Sequence, residues 1–100
     1  MKESEIEARL VRGVKALGGR AYKFVSPGNV GVPDRLVILP RGRILFAELK
    51  ADGGRLSRMQ LHQIDGLRQL GVEVWEVWGE EGVKGFLELC REQMRGGDVE

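Results

Sequence analysis

The sequence predicts an α/β domain with a mixed central β-sheet flanked by helices, in the order α-β-β-β-α-β-α. Segments with apolar residues at helical spacing alternate with short apolar runs that are typical of strands. One helical segment joins two strands, and such a crossover places those strands parallel and right-handed in the sheet. The 100 residues are enough for one domain, so we expect a domain over 1–94 and a C-terminal tail over 95–100.

The first predicted helix spans Ser4 to Leu17, and a Gly-Gly pair ends it. Ser4 and Glu7 have the spacing of a capping box, in which each side chain accepts a bond from the other residue's backbone N–H. On this reasoning alone Glu7 is a capping partner or a solvated residue. Glu3 lies one turn earlier on the same flank. The apolar stripe of the helix consists of Ile6, Leu10, Val14 and Leu17.

The next three elements are predicted strands. The first runs from Ala21 to Val25, and a loop rich in turn-forming residues connects it to Pro33. Two apolar runs then flank residues 40–43, a pattern typical of a β-hairpin. The second hairpin strand, residues 44–49, is apolar on both faces, so we expect a central strand that is covered on both sides.

Three charged residues lie at the open end of this hairpin. Asp34 begins its first strand, and Glu48 and Lys50 finish its second, two residues apart and therefore on one face. A two-residue turn at Arg41-Gly42 would put Asp34 on the face opposite to Glu48. A three-residue turn, or one bulge, would bring Asp34 opposite Glu48, with Gly42 at a positive φ, and we predict this arrangement.

The C-terminal half continues with a helix, a strand and a helix. Ser57 is the predicted N-cap of the second helix, and Gln60 has the capping-box position. Val72 to Trp78 is the fourth predicted strand, and the last helix follows Gly79. Cys90 lies on the apolar stripe of that helix and is predicted to be a core residue rather than a nucleophile. The buried side of the second helix is predicted to consist of Leu61, Ile64, Leu67 and Leu70.

The composition says more about the cellular compartment of the protein than about its binding partner. The net charge is +1, which does not point to a partner. A single cysteine excludes an internal disulfide and fits a reducing compartment. There is no signal peptide and no run of about eighteen apolar residues, so we expect a soluble, intracellular protein without a membrane partner.

The charged end of the hairpin predicts phosphodiester hydrolysis. Two carboxylates and an ammonium group are costly to desolvate unless something compensates, and a bound divalent cation would. Carboxylates that hold Mg²⁺ neutralise charge on a phosphate and supply hydroxide near neutral pH. A neighbouring lysine can position or help deprotonate the attacking water.

Four segments, together with the N-terminal helix and its glutamate, carry a resemblance that extends from Glu3 to Val77. They are Gly31-Val32-Pro33-Asp34, Phe46-Ala47-Glu48-Leu49-Lys50, Gly54-x-Leu56-Ser57-x-x-Gln60 and Gly71-Val72-x-Val74. The chain resembles a stand-alone virus-type replication-repair nuclease (VRR-NUC) domain of the PD-(D/E)XK nuclease superfamily. The resemblance implies a restriction-endonuclease-like PD-(D/E)XK core and an endonuclease that depends on Mg²⁺, with Mn²⁺ able to substitute.

The resemblance also implies roles for individual residues. Lys50 is the catalytic lysine, and Gln60 reaches the site from the second helix unless the capping box holds its side chain. Glu7 completes the acidic set from the first helix, with Glu3 as the competitor for that role. The implied metal ligands are Asp34, Glu48, the Leu49 carbonyl and Glu7.

The expected substrate is DNA. The sequence contains no base-specific motif, so we expect contacts to the phosphates that flank the cleaved bond. The residues alone do not separate DNA from RNA. A catalytically inactive binding module of the same fold is the alternative, but acidic residues beside phosphate would not help a pure binder. The basic residues expected to contact phosphate are Lys23, Arg35, Arg41, Arg43, Arg55 and Arg58.

A homodimer that cleaves four-way (Holliday) junctions in replication, repair or recombination is the expected assembly. Two-fold symmetry would supply two active sites, and stand-alone viral members of the family look like dimeric junction-resolving enzymes. Trp75, Trp78 and Phe86 are the large groups nearest the expected interface. The alternative is a monomer that cuts flaps or single strands. We expect a bacterial or phage-encoded protein in the host cytoplasm.

Overall fold

The computed structural model describes residues 1–98 and confirms the predicted order of elements. Helix α3 continues through Asp98, and residues 99–100 of the predicted tail lie outside the described residues. The elements are α1 (Glu3–Ala16), β1 (Arg20–Lys23), β2 (Arg35–Leu39), a 3-10 turn (Pro40–Gly42), β3 (Arg43–Lys50), α2 (Arg58–Gln69), β4 (Val74–Trp78) and α3 (Gly79–Asp98).

The four strands form one mixed sheet in the order β1-β2-β3-β4. The pairs β1–β2 and β2–β3 are antiparallel, whereas β3 and β4 are parallel. Helix α2 is the crossover between the two parallel strands. The predicted mixed sheet is therefore confirmed.

One face of the sheet forms the hydrophobic core with α1 and α3. Leu45, Ala47 and Leu49 of β3 are fully buried on this face, so they remove most of their apolar surface from water. Cys90 belongs to the same cluster, and burial raises the pKa of its thiol to about 11. Cys90 is therefore a neutral core residue, as predicted. The helices contribute Ile6, Leu10, Val14, Val83 and Phe86.

The opposite face of the sheet is covered only in part. Ile44 is 55% exposed and Tyr22 is 48% exposed, so the prediction that residues 44–49 are covered on both sides is wrong at Ile44. Helix α2 lies beside β4 and leaves the β1–β2 side of this face open. Only part of α2 therefore meets the sheet: Ile64 is buried, but Leu61 and Leu70 are 52% and 82% exposed, contrary to the predicted four-residue buried side.

Helix α1 begins one residue earlier than predicted, so its capping differs. Lys2 is the N-cap, and its backbone N–H donates to Glu5 Oε1 over 2.9 Å. The predicted capping box between Ser4 and Glu7 is therefore wrong, because Glu5 occupies the capping position three residues after the true N-cap. Glu7 consequently lies beyond the cap, in the second turn of the helix.

The capping box of α2 forms as predicted. The Ser57 backbone N–H donates to Gln60 Oε1 over 2.8 Å, and the Gln60 backbone N–H donates to Ser57 Oγ over 3.1 Å. These two bonds fix the first turn of α2 and hold the Gln60 side chain by its oxygen.

The β2–β3 hairpin has the predicted register. Leu39 pairs with Arg43, which leaves three residues in the turn, and Gly42 adopts a φ of 77°. Arg41 also has a positive φ, of 71°. Because Arg35 pairs with Ala47, the same register places Asp34 opposite Glu48. The predicted three-residue turn is confirmed.

The loop between β1 and β2, residues 24–34, is anchored at both ends. The Phe24 N–H donates to the Asp34 carbonyl over 2.9 Å. Gly31, with a φ of 92°, lies directly against the first turn of α2, where a Cβ atom would come within 2.6 Å of the Met59 carbonyl carbon and 2.8 Å of the Gln60 nitrogen. This contact fixes the loop, and hence Asp34, relative to α2.

Gly31→Ala and Gly28→Ala form a matched pair that tests this contact. Both glycines have a positive φ, but an added Cβ would meet nothing within 4 Å at Gly28. We expect Gly28→Ala to lower the free energy of unfolding by about 1 kcal/mol, through φ alone, and Gly31→Ala by about 3 kcal/mol. Urea unfolding measures both values, and equal losses would show that the loop does not rest on α2.

Candidate active site

The Glu48 carboxylate is buried without a hydrogen-bonding partner. Its residue is 1% exposed, and neither carboxylate oxygen has a hydrogen bond within the described residues. Lys50 Nζ lies 3.8 Å from Glu48 Oε2, close enough for an ion pair but too far for a hydrogen bond. Burial, followed by the negative charge of Asp34, raises the pKa of Glu48 to about 7, whereas Lys50 and the backbone N–H of Asp34 act in the opposite direction.

Asp34 is held beside Glu48 by the backbone of the neighbouring strand. Its Oδ2 atom accepts a hydrogen bond from the Leu49 N–H over 2.9 Å. This bond joins the residue that precedes β2 to β3, where the regular ladder between the two strands has ended. The structure therefore brings together Asp34, Glu48, Leu49 and Lys50, as predicted from the hairpin.

This arrangement suits a divalent cation. Mg²⁺ and Mn²⁺ prefer oxygen ligands, and Glu48 offers two buried oxygens without hydrogen bonds beside the Asp34 carboxylate, which accepts a hydrogen bond through Oδ2. Residues 1–98 contain no group of three His, Cys, Asp or Glu side chains that could hold a metal ion. Further ligands would therefore be a backbone carbonyl, for which Leu49 is the predicted residue, or water.

Two cations engage Glu7, the predicted acidic residue of the first helix. Arg35 Nε donates to Glu7 Oε2 over 2.8 Å, and Lys23 Nζ lies 3.8 Å from the same oxygen. Arg35 also donates to the Ala21 carbonyl over 3.1 Å, and its side chain is only 17% exposed. The Glu7–Arg35 pair thus ties α1 to β1 and β2 directly beside Asp34.

Glu3, the competitor for the role of Glu7, acts on the site through its charge. Glu3 lies on the exposed first turn of α1, and its negative charge contributes to the raised pKa of Glu48, after burial and Asp34. The two glutamates of α1 thus differ: Glu7 is neutralised by Arg35, whereas Glu3 adds negative charge to the environment of Glu48.

Gln60 can serve both in the capping box and in the active site only if its two amide atoms divide these roles. Its Oε1 atom is used in the capping box with Ser57. No hydrogen bond of its Nε2 atom is found within residues 1–98, so that end of the amide remains a donor for a ligand. The contact of Gly31 with the Gln60 nitrogen places this turn of α2 beside the loop that leads to Asp34.

The predicted phosphate-binding residues fall into two groups. Lys23, Arg55 and Arg58 are exposed. Lys23 lies on the strand paired with Arg35, Arg55 lies in the loop before α2, and Arg58 is the first residue of α2. Arg41 and Arg43 lie at the turn of the β2–β3 hairpin, about 16 Å along the strand from Glu48. Arg43 is paired there with Glu73 and Gln93. Arg35 is held inside the protein, as described above.

Sequence reasoning passed over Glu76, which pairs with Glu48 in the parallel β3–β4 register and shares its face. Arg68 of α2 neutralises Glu76, with Nη1 3.3 Å from Oε2, and also donates to the Val74 carbonyl over 2.7 Å. An acidic residue in the otherwise apolar segment Val-Trp-Glu-Val-Trp was the available signal. Once β3 and β4 are predicted to be parallel neighbours, that position lies next to the site.

Comparisons with known proteins agree with the fold. No family model matches the chain. A protein of Acyrthosiphon pisum secondary endosymbiont phage 1, named "Putative nuclease p44", is 51% identical over 74 residues, which cover 74% of this chain and 80% of the phage protein. A solved structure described as a VRR_NUC domain has a TM-score of 0.82 at 34% identity and covers 88% of this chain and 96% of its own.

The mixed sheet, with two carboxylates and a lysine at the open end of its central hairpin, defines an α/β domain with a restriction-endonuclease-like PD-(D/E)XK core. The likeness to a protein named as a nuclease supports nuclease activity. The chain belongs to the VRR_NUC domain family. The predicted resemblance is thereby confirmed. No helix within residues 1–98 is long and apolar enough to cross a membrane.

The raised pKa of Glu48 predicts how the stability of the metal-free protein changes with pH. Since folding raises that pKa from 4.5 to about 7, the folded state holds the proton more tightly than the unfolded state. The stability that protonated Glu48 contributes is therefore fully present below the unfolded pKa and is lost as the pH rises to about 7. The free energy of unfolding should fall by about 3 kcal/mol at most over this range. Glu48→Gln replaces the ionisable carboxyl with a neutral amide, so the variant does not lose stability as the pH rises. It should therefore be more stable than the wild type at about pH 8 and differ little from it at about pH 4.5.

Denaturant unfolding in the presence of a chelator, at several pH values, measures this difference. The control is Glu81→Gln, because Glu81 is 90% exposed and carries the same charge. A difference between the wild type and Glu48→Gln that does not change with pH would contradict the raised pKa of the buried Glu48 carboxylate.

Proposed function

We propose that the chain is an endonuclease that depends on Mg²⁺ or Mn²⁺ and hydrolyses DNA phosphodiester bonds. The observation that supports this most is the Glu48 carboxylate, buried opposite Asp34 with both oxygens unpartnered. A buried carboxylate without hydrogen bonds costs folding free energy, and Lys50 offsets only part of its charge. A ligand of positive charge would therefore account for its place at the open end of the sheet.

In this proposal Asp34, Glu48 and the Leu49 carbonyl hold the cation. A cation bound there would neutralise charge on the phosphate and lower the pKa of a water molecule. The hydrogen bond from the Leu49 N–H orients the Asp34 carboxylate, so that Asp34 and Glu48 are set in place before any ligand arrives.

Lys50 is proposed to position the attacking water as an ammonium group, or to take a proton from that water in its neutral amine form. Its side chain is only 15% exposed and its ammonium group lies beside Glu48, where burial strengthens its electrostatic effect. Gln60 would orient water or phosphate through its Nε2 atom, because its Oε1 atom is already bound. Glu7 is proposed to support the site through Arg35, which holds α1 against the strands that carry Asp34.

Exposed cations near the site are the proposed contacts to flanking phosphates. Lys23, Arg55 and Arg58 are the exposed cations nearest in sequence to the open end of the hairpin, whereas Arg41 and Arg43 would reach a more distant phosphate beyond the hairpin turn. Arg35 is proposed to position the site rather than to meet DNA, because Glu7 and the Ala21 carbonyl bind its guanidinium group.

A homodimer that acts on branched DNA is the proposed assembly. One chain presents one set of Asp34, Glu48 and Lys50, and two-fold symmetry would supply a second. The predicted interface needs revision, because Phe86 is 1% exposed and already belongs to the core. The partly covered face of the sheet, with Ile44 and Tyr22 exposed, is a better apolar surface for a second copy. The phage origin of the relative supports a place in the cytoplasm of a host cell.

Cleavage assays with matched variants test the catalytic proposal. Asp34→Asn and Lys50→Met should each reduce Mg²⁺-dependent cleavage of a labelled four-way junction by about 100-fold or more. Asp65→Asn removes an exposed carboxylate of α2 and should cleave like the wild type. Equal cleavage by all four proteins would contradict the assignment.

Metal binding should also appear as a gain in stability. At a metal concentration about one hundred times Kd, Mn²⁺ should raise the free energy of unfolding by about 2.7 kcal/mol. Asp34→Asn keeps an acceptor for the Leu49 N–H and should fold normally, but it should lose most of that gain. A wild-type melting curve that millimolar Mn²⁺ leaves unmoved would exclude the two-carboxylate site.

Light scattering and junction cleavage test the assembly separately. At micromolar concentration we expect twice the mass of one chain, and Ile44→Asp should return the mass to that of a monomer. A dimeric enzyme should introduce paired nicks across a mobile four-way junction. A wild-type mass of one chain, with single nicks in flaps or single strands, would instead support the monomeric alternative.

A further inference from the structure

The loop between β1 and β2, which we call the entry loop (residues 24–34), exposes two apolar side chains next to the site. Val25 is 69% exposed and Val30 is 71% exposed, on either side of the turn at residues 26–29. The loop ends at Asp34 itself. Burial of a valine is normally favourable, and these two exposed valines flank one turn of the loop that ends at Asp34, a proposed metal ligand.

The tip of the entry loop is a fixed turn. The Asn29 N–H donates to the Ser26 carbonyl over 3.0 Å, and Asn29 Nδ2 donates to Ser26 Oγ over 2.9 Å. Pro27 and Gly28 occupy the two central positions, and the φ of 82° at Gly28 is typical of a type II turn. Val25 and Val30 therefore flank a tip whose conformation is set before a partner binds.

The base of the entry loop is equally constrained. The Phe24 N–H bonds the Asp34 carbonyl, Gly31 lies on the backbone of α2, and Pro33 is buried. A partner that meets the loop would pay little entropy to order it. The loop is thus a rigid projection beside Asp34 rather than a slack connection.

Charge on both sides of the loop indicates the class of partner. Lys23, with a side chain 67% exposed, precedes the loop, and Arg58 is exposed on α2 beside the residue that Gly31 contacts. Exposed cations near exposed apolar side chains suit a nucleic-acid strand, which offers phosphates as well as bases and sugars.

We propose that the entry loop places Val25 and Val30 against unstacked nucleotides next to the cleaved phosphate, and so selects branched DNA over continuous duplex. Apolar side chains gain contact with bases where a step is opened, and opening costs least where stacking is already interrupted. The position of the cleaved phosphate rests on the proposed nuclease function. The preference for an opened step comes from the loop itself.

Binding in the absence of divalent cations tests this inference independently of cleavage. The probes are a four-way junction with 2-aminopurine at the crossover and a linear duplex of the same length. The wild type should raise the 2-aminopurine fluorescence and bind the junction more tightly than the duplex. Val25→Ser combined with Val30→Ser should weaken junction binding by about tenfold, leave duplex binding unchanged and abolish the fluorescence rise.

Leu70→Ser is the matched control, because it removes an 82% exposed apolar side chain at the other end of α2 and should bind like the wild type. A double variant that keeps its junction preference, or a wild type without one, overturns the inference. So does a double variant that becomes monomeric in light scattering, because the valines would then contact a second copy.

The same proteins, assayed for cleavage with Mg²⁺, keep this inference separate from the proposed function. A wild type that cleaves DNA beside a double variant with full junction preference would refute the loop and leave the nuclease intact. A wild type that never cleaves, beside a double variant that has lost junction binding, would refute the nuclease and leave the inference about the loop intact.

Discussion

The Glu48 carboxylate sits inside the protein with neither oxygen hydrogen-bonded in the described residues, and the rest of the site is arranged around it. The Leu49 backbone N–H holds the Asp34 carboxylate opposite Glu48. Asp34 therefore adds negative charge next to Glu48 instead of neutralising it. Lys50 offsets only part of that charge, from 3.8 Å. The fold therefore concentrates negative potential at one point, and its buried hydrophobic face supplies the stability that this arrangement costs.

The two faces of the sheet therefore differ: one stabilises the domain and the other carries the charged site. Leu45, Ala47 and Leu49 point to α1 and α3 and stabilise the domain, whereas Glu48 and Lys50 alternate with them on the other face. Strand β3 thus belongs to the core and to the site at once. The same alternation leaves Ile44 exposed at the far end, where α2 does not reach.

The sequence was sufficient for the element order, the hairpin register and the grouping of Asp34, Glu48 and Lys50, because periodicity and turn length are local properties. It was insufficient for the partners of Glu7, since the bond to Arg35 joins residues 28 positions apart through tertiary packing. The start of α1 was also missed, because two acidic residues compete for one capping position. Exposure of Leu61 and Leu70 depends on where α2 crosses the sheet, which helical spacing does not encode.

The three-residue turn between β2 and β3 has a further consequence for how this chain can vary. Exposed turns usually tolerate insertions and deletions, and this one lies about 16 Å from the carboxylates. Yet the pairing of Leu39 with Arg43 next to the turn sets the register of the whole hairpin, as far as Asp34 opposite Glu48 at its open end. Removing one turn residue without a compensating bulge would shift the alternation by one and turn Asp34 away from Glu48. The length of a solvent-exposed turn is therefore as tightly constrained as the identity of the acidic residues, although no atom of that turn comes near them.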